Sequence, residues 1–207
     1  MDKFVSLTAV AAPIDMDNVD NDQVIPARLM RKQRDDGGYA KYLFHDLRFN
    51  EDGSEKHDFV LNQPAYRDAR IIVASHNYAC GSSRLGAVYV HYDYGIRCVI
   101  ATSFGDVFFN NCFKNGILPI RLPAAATAEL RGQLRAQPGA TLSVDLPAQI
   151  VTDLNGACHT FSVDAFGKRC LLEGLSDIAL TLEKEAEISA FEARHRRAFS
   201  WLPLQRP

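Results

Sequence analysis

Long hydrophobic runs are absent from this sequence of 207 residues. No stretch approaches the roughly 18 consecutive apolar residues of a membrane-spanning helix, and the start lacks the basic-then-apolar pattern of a secretory signal. A charge excess of one sign is absent too, because 23 basic residues oppose 25 acidic ones and leave a net charge of −2. Bulk charge therefore gives no reason to expect binding to nucleic acid or to an anionic membrane. We expect a cytoplasmic protein that recognises its substrate through local features.

Closely spaced cysteines are also absent. The five cysteines are Cys80, Cys98, Cys112, Cys158 and Cys170, an odd number with no two of them two to four residues apart. This pattern predicts neither a disulfide framework nor a zinc or iron–sulfur site built from this chain alone. We expect buried or half-buried free thiols, with Cys80 set apart by its neighbours.

Neither repeats nor low-complexity tracts interrupt the chain, and its composition of 47% hydrophobic and 23% charged residues is that of a folded protein. A chain of this length can bury about 70% of the surface of its unfolded state, which is enough for one substantial core. We predict a single domain over residues 1–207. Residues 1–65 are expected to be rich in strand and loop, and residues 66–200 to hold the core and the C-terminal helices.

Alternating strand and helix patterns fill the middle of the chain. Short apolar, β-branched runs predict buried strands, and the segments between them predict helices. The predicted order is strand 70–74, helix 85–94, strand 96–101, helix 104–114 and strand 117–120. This order is typical of a parallel β-α-β-α-β unit with right-handed crossovers. Further strands are predicted at 4–12, 141–146, 149–152 and 159–163, and further helices at 124–137, 164–173 and 176–199, with a break near 182–183. The predicted class is mixed α/β, with antiparallel strands added to the parallel unit.

The loop Cys80-Gly81-Ser82-Ser83-Arg84 is the sharpest chemical feature. It joins a predicted strand to a predicted helix, so it lies at the carboxyl edge of a parallel sheet, where α/β proteins bind ligands. The helix start offers amide N–H groups, and Ser82, Ser83 and Arg84 add donors for a carboxylate or phosphate. The alternative is that a serine only caps the helix. The loop is neither a nucleophile elbow nor a Walker loop, because the required glycine and lysine are missing.

An acidic loop precedes it, with four aspartates within residues 15–22. Asp22 is a candidate for orienting a catalytic group; the alternative is an ordinary acidic loop with Asx turns. The spacing does not fit a calcium loop, since the sixth-position glycine and twelfth-position glutamate are missing.

A basic cluster follows, formed by Arg31, Lys32 and Arg34 ahead of a diglycine. Such clusters are usually solvated faces. The 28–40 segment that contains it could instead act as a flexible flap that closes on an anionic substrate.

Taken in order, these motifs resemble a known family, the small subunits of 3-isopropylmalate dehydratase, which form the swivel-domain half of the aconitase superfamily. The resemblance covers about residues 4 to 195. It runs through Asn18-Val19-Asp20-x-Asp22-x-x-Ile25-Pro26, Asp58-Phe59-Val60-Leu61-Asn62, Asn77-x-x-Cys80-Gly81-Ser82-Ser83-Arg84, Asp93-Tyr94-Gly95, Ser103-Phe104-x-Asp106-x-Phe108, Leu118-Pro119, and Cys170-Leu171-Leu172-x-Gly174-Leu175-x-Asp177-Ile178-x-Leu180-Thr181-Leu182.

The resemblance implies a swivelling β/β/α domain and a hydro-lyase that isomerises 2-isopropylmalate and 3-isopropylmalate by dehydration and rehydration in leucine biosynthesis. It implies a [4Fe-4S] cluster carried by a partner large subunit, acting as Lewis acid on the substrate hydroxyl. It assigns Ser82 as the general base and Asp22 as a second catalytic residue. Ser83 and Arg84 would bind a substrate carboxylate, and Arg31 and Arg34 would lie in the substrate-selecting loop.

Two departures from the family pattern keep alternatives open. The family continues Ser-Ser-Arg-Glu-His, whereas this chain has Leu85-Gly86 after Arg84, and Asn21 replaces the usual threonine before Asp22. The helix start thus loses a carboxylate. The alternatives are a dehydratase of another small dicarboxylate, of the 2-methylmalate or citraconate type, and a catalytically silent domain that only binds a partner.

Overall fold

The chain is described here by a computed structural model over residues 1–31, 34, 38–81, 84–199 and 201. It divides into two compact units, Met1–Gly174 and Leu175–Pro207. Among the described residues, no helix combines the length and the apolar character needed to cross a membrane.

A mixed sheet of seven strands, counted over the described residues, forms the first unit. The strands are β1 Ser6–Pro13, β2 Ile71–Val73, β3 Cys98–Ala101, β4 Leu118–Arg121, β5 Thr141–Asp145, β6 Ile150–Thr152 and β7 Cys158–Thr160. Their order across the sheet is β4-β3-β2-β1-β5-β6-β7. The pairs β1–β2, β2–β3 and β3–β4 are parallel, and the pairs from β5 to β7 are antiparallel.

Strand β1 joins the two halves of the sheet. Its first residues pair antiparallel with β5, with Ser6 opposite Asp145, and its last residues pair parallel with β2, with Ala11 opposite Ile71. The sequence predicted this strand but not its central position, because pairing partners far along the chain leave no local signal.

Helices alternate with the parallel strands as predicted. They are α1 Asn21–Val24, α2 His45–Arg48, α3 Leu85–Tyr94, α4 Asp106–Phe113, α5 Ala124–Ala136, α6 Ala165–Glu173, α7 Asp177–Leu182 and α8 Glu185–Ala198. Helix α3 has the predicted bounds and ends at Gly95. The break predicted near 182–183 is confirmed by the end of α7, which separates it from α8.

The parallel strands are buried on both faces, because alternate residues enter two different hydrophobic clusters. Ile72 and Val99 belong to the cluster that includes Val88 of α3. Ile71 and Ile100 belong to the cluster that includes Leu130 of α5. This is the arrangement expected of a parallel sheet with helices on both sides.

The described residues between 14 and 66 contain several short elements that the sequence analysis did not predict. Besides α1 and α2, they form short 3-10 turns at Ala27–Leu29, Ala40–Tyr42, Val60–Asn62 and Pro64–Tyr66. Leu43, Phe44 and Leu61 within this region are fully buried in the hydrophobic cluster that includes Val88 of α3. Local periodicity could not reveal these turns, since each is shorter than one amphipathic repeat.

Candidate active site

Two loops lie side by side at the carboxyl edge of the parallel strands. The amide of Asn18, after β1, donates to the carbonyl of His76, after β2, at 2.9 Å. The Cys80 amide donates to Val19 O at 3.0 Å, and the Asn21 amide donates to Cys80 O at 2.9 Å. These bonds bring the acidic loop and the Cys80–Arg84 loop together, as the shared edge of β1 and β2 requires.

A third loop, after β3, is hydrogen-bonded to the loop that follows β2. The Tyr78 amide donates to Ser103 O and the Gly105 amide donates to Tyr78 O, both at 2.9 Å. A Cβ atom at position 105 would overlap the carbonyl oxygen of Ala79 and lie 3.0 Å from Cys80 Cα. Glycine is therefore required there, and α4 can begin directly against the loop that leads to Arg84.

Backbone strain is concentrated in these loops. Asn18, Asn77 and Ala79 have φ values of 54°, 57° and 53°, in the left-handed region; asparagine tolerates this conformation, so the strain falls mainly on Ala79. Such conformations persist where the surroundings enforce them, and they cluster at functional sites. The strain supports a functional interpretation of this edge of the sheet.

Every aspartate of the 15–22 loop accepts a hydrogen bond. The donors are Arg131 and Arg135 for Asp15, the amide of His76 for Asp17, the amide of Gln23 for Asp20, and Arg84 for Asp22. Hydrogen bonds from Ser75 and from the His76 amide hold the pKa of Asp17 below its usual range. Paired carboxylates explain how so acidic a loop can pack beside the core.

Asp22 and Arg84, two predicted site residues, form an ion pair. Arg84 Nη1 donates to Asp22 Oδ1, and the amide of Ala27 donates to the same oxygen at 3.3 Å. Arg84 is the N-cap residue of α3, and its side chain is 19% exposed. A guanidinium carries five N–H donors, so a group that serves Asp22 through one nitrogen can also bind a carboxylate. The pair therefore presents a fixed anion-binding group at the sheet edge.

The remaining predicted residues fall into two groups. Ser82 and Ser83, like Lys32 of the basic cluster, lie outside the described residues. Arg31 is exposed. Arg34 donates from Nε and Nη2 to the two oxygens of Asp93 at 2.9 and 2.6 Å, and its guanidinium lies 4.2 Å from the centre of the Tyr89 ring.

His76 and Ser103 are two neighbours of the site to which the sequence reasoning gave no role, although Ser103 lies in one of the family motifs. The Ser103 hydroxyl lies 3.0 Å from His76 Nδ1 and accepts from the amide of Asn77 at 2.9 Å. Both residues shortly follow parallel strands, β2 and β3, and this position at the carboxyl edge is the signal that could have identified them.

A buried hydrogen bond ties the second loop to α3. The Tyr78 hydroxyl lies 2.7 Å from His91 Nε2, and His91 Nδ1 lies 2.6 Å from the carbonyl oxygen of Ala87. A carbonyl only accepts, so Nδ1 carries the proton and Nε2 accepts from the tyrosine. Both side chains are fully buried, and desolvation lowers the pKa of His91 from 6.5 to about 4.

Acid should therefore destabilise the protein through His91. Its pKa is lower when folded, so between pH 6.5 and 4 the unfolded chain binds more protons. The stabilisation is complete above pH 6.5 and is lost as the pH falls, by about 3 kcal/mol of unfolding free energy at pH 4. The difference in urea unfolding between the wild type and His91→Gln, from pH 7 to 4, measures this loss, because the variant still accepts from Tyr78 and keeps the contributions of the carboxylates. An equal pH dependence in both proteins would contradict the assignment.

The cysteines mostly match expectation. Cys98, Cys112 and Cys170 are buried and Cys80 is partly buried, all as free thiols. The expectation is wrong for Cys158, which is exposed because it lies on β7, the edge strand of the sheet. Within the part of the chain that the structure describes, no three His, Cys, Asp or Glu side chains gather as metal ligands.

Comparison with known proteins first gives the class. Residues 1–125 match the family model of the aconitase C-terminal domain. Residues 128–165 match a model described as LeuD_N, and residues 177–205 match the model of the C-terminal domain of the 3-isopropylmalate dehydratase small subunit. The fold is similar to a crystal structure of 3-isopropylmalate dehydratase from Methanocaldococcus jannaschii, with a TM-score of 0.65, 24% identity, and coverage of 90% of this chain and 99% of that chain.

Full-length relatives then give the family. The 3-isopropylmalate dehydratase small subunit of Jannaschia sp. (strain CCS1) is 52% identical over 98% of this chain and 100% of the relative. That of Paramagnetospirillum magneticum is 50% identical over the same shares. The chain belongs to the family of 3-isopropylmalate dehydratase small subunits. This confirms the resemblance found in the sequence motifs.

Proposed function

We propose that this chain is the small subunit of a 3-isopropylmalate dehydratase, a two-chain hydro-lyase that interconverts 2-isopropylmalate and 3-isopropylmalate in leucine biosynthesis. The observation that carries the proposal is the identity of 52% and 50% with two such small subunits. The ion pair of Asp22 with Arg84 at the carboxyl edge of the parallel sheet supports a carboxylate-binding site there. Family membership over almost the whole chain supports the substrate and the reaction.

The partner is a large subunit that carries a [4Fe-4S] cluster. Two observations support this partner: the relatives are named as small subunits of a dehydratase, and the five cysteines of this chain do not have the spacing of cluster ligands. When bound there, the cluster would supply Lewis-acid assistance to departure of the substrate hydroxyl. A cytoplasmic location belongs to the same proposal.

This chain supplies the base and the carboxylate-binding groups. Ser82 accepts the carbon-bound proton, for which its pKa must be lowered by neighbouring N–H donors and by the charge of Arg84. Ser83 and Arg84 hold a substrate carboxylate, while Asp22 keeps the guanidinium of Arg84 in place. Loss of the proton and of hydroxide gives the alkene, and water added in the opposite sense gives the isomer.

Two of the arginines in the 28–40 segment, Arg31 and Arg34, were predicted to contact the substrate, and their surroundings differ. Arg31 is exposed and is proposed to bind the substrate. Arg34 commits both Nε and Nη2 to the two oxygens of Asp93, and this two-bond pairing favours an anchoring role over direct contact with substrate. Arg84, in contrast, serves Asp22 through a single nitrogen.

Reconstitution with the large subunit tests the proposal. Under anaerobic, reducing conditions, the pair should convert 3-isopropylmalate, and neither protein should be active by itself. Citraconate and 2-methylmalate are assayed in parallel, since Leu85-Gly86 departs from the family pattern at the site. If the complex converts citraconate but not 3-isopropylmalate, the proposed substrate is wrong. If a stable complex converts none of these acids, the enzymatic function is contradicted.

A further inference from the structure

The carboxylate of Asp93, on α3, accepts hydrogen bonds from two residues of the 28–40 segment. It accepts two hydrogen bonds from Arg34, at 2.9 and 2.6 Å, and a third from the backbone amide of Tyr39 at 3.1 Å. Gly38 packs against the same side chain, its missing Cβ position being 3.6 Å from Asp93 Cβ. One carboxylate thus holds the segment at two points, Arg34 and Gly38–Tyr39.

A second contact holds the segment further upstream. The Tyr39 hydroxyl donates to the carbonyl of Met30 at 3.0 Å. Met30 itself lies over Gly86, where a Cβ atom would be 3.3 Å from the methionine sulfur. Met30 before Arg31, and Arg34 and Tyr39 after it, therefore all contact the same helix.

These contacts lie next to the proposed substrate-binding groups. Gly86 is two residues beyond Arg84 on the same helix, and the amide of Ala27 binds the Asp22 oxygen that also accepts from Arg84. Arg31 lies between the two attachment points.

We propose that Asp93 is a positioning residue for substrate binding, which holds Arg34 and Tyr39 against α3 and so sets where Arg31 stands relative to Arg84. The inference rests on the proposed function and adds to it a residue that touches no substrate. A carboxylate that only stabilised α3 would need no hydrogen-bond donors from the 28–40 segment. The three hydrogen bonds to Asp93 described above all have their donors in that segment.

The fold should survive loss of this carboxylate. The side chain of Arg34 is 41% exposed and that of Asp93 is 14% exposed, so complete removal of the Asp93 side chain would be a poor test and a shape-preserving substitution is needed. Asp93→Asn keeps the shape and one acceptor oxygen while removing the charge. Glu55→Gln is the matched control, because Glu55 also forms a two-bond pair with an arginine, Arg67, and makes no contact with the segment in the described part of the chain.

Hydrogen–deuterium exchange of the small subunit is the first measurement. In Asp93→Asn, peptides covering residues 28–40 should exchange about threefold faster or more, while peptides from β2 and β3 stay unchanged. Glu55→Gln should match the wild type over residues 28–40. Unchanged exchange in Asp93→Asn would overturn the inference without any reference to activity.

Kinetics of the reconstituted enzyme with 3-isopropylmalate are the second measurement. Asp93→Asn should raise KM about tenfold and leave kcat within about twofold, since the reacting groups are untouched. Arg34→Gln should have the same effect, and the double variant should be no worse than either single one. Additive losses, or an unchanged KM beside faster exchange, would overturn the positioning role. An inactive wild-type complex would contradict the proposed function alone, and exchange would still decide whether Asp93 anchors the segment.

Discussion

Ser82→Ala is expected to lower kcat of the reconstituted enzyme by about 10²- to 10⁴-fold. Alanine removes the only atom at this position that can take the proton from the substrate carbon, while the binding groups remain. KM should change little, because a proton acceptor contributes mainly to the transition state. The measurement is steady-state conversion of 3-isopropylmalate by the complex of both proteins.

Association must be measured beside activity. Size-exclusion chromatography of Ser82→Ala with the large subunit should give the same complex as the wild type. Ser143→Ala, on the exposed side of β5, is the matched control and should keep full turnover. Wild-type kcat in the Ser82 variant would remove this residue from the mechanism.

Arg84→Gln should reduce kcat/KM by about 10²- to 10³-fold, mostly through KM. The substitution removes the charge that faces the substrate carboxylate and also leaves Asp22 without its cation. The resulting like-charge repulsion between Asp22 and the substrate adds to the lost attraction. Initial rates over a range of substrate concentrations separate the two parameters.

Two further variants test whether the effect is specific to Arg84. Arg169→Gln removes an exposed arginine that pairs with Glu173 on α6 and should leave kinetics unchanged. Asp22→Asn keeps a neutral hydrogen-bond acceptor beside Arg84 and should show a smaller loss in the same direction. Equal kinetics for Arg84→Gln and Arg169→Gln would contradict carboxylate binding by Arg84.

Local sequence signals were sufficient for much of the fold. The bounds of α3 follow from its pattern and from Gly95. The predicted start of a helix at Asp164 agrees with the structure, where Asp164 is the N-cap residue of α6. The parallel unit follows from alternation of short buried strands with helices. Each of these features depends on residues within about one turn or one strand of each other.

Contacts between distant residues could not be predicted in the same way. Arg34 and Asp93 are separated by 59 positions, and no local pattern pairs them. Asp22 and Arg84 are 62 positions apart, and only the family resemblance placed both in one site before the structure brought them together. The central place of β1 has the same cause, since its partners Ile71 and Asp145 lie in remote segments.

The contact of Met30 with Gly86 constrains how the start of α3 can evolve. The family's Glu-His sequence would place an imidazole where the sulfur of Met30 and the ring of Tyr39 now lie, within 3.3 and 4.0 Å of the missing Cβ. Grafting that dipeptide into this chain would force the methionine away unless position 30 became smaller at the same time. Positions 30 and 86 should therefore vary together among descendants of this sequence, and a chimaera that exchanges only one of them would inherit a steric mismatch beside its anion-binding arginine.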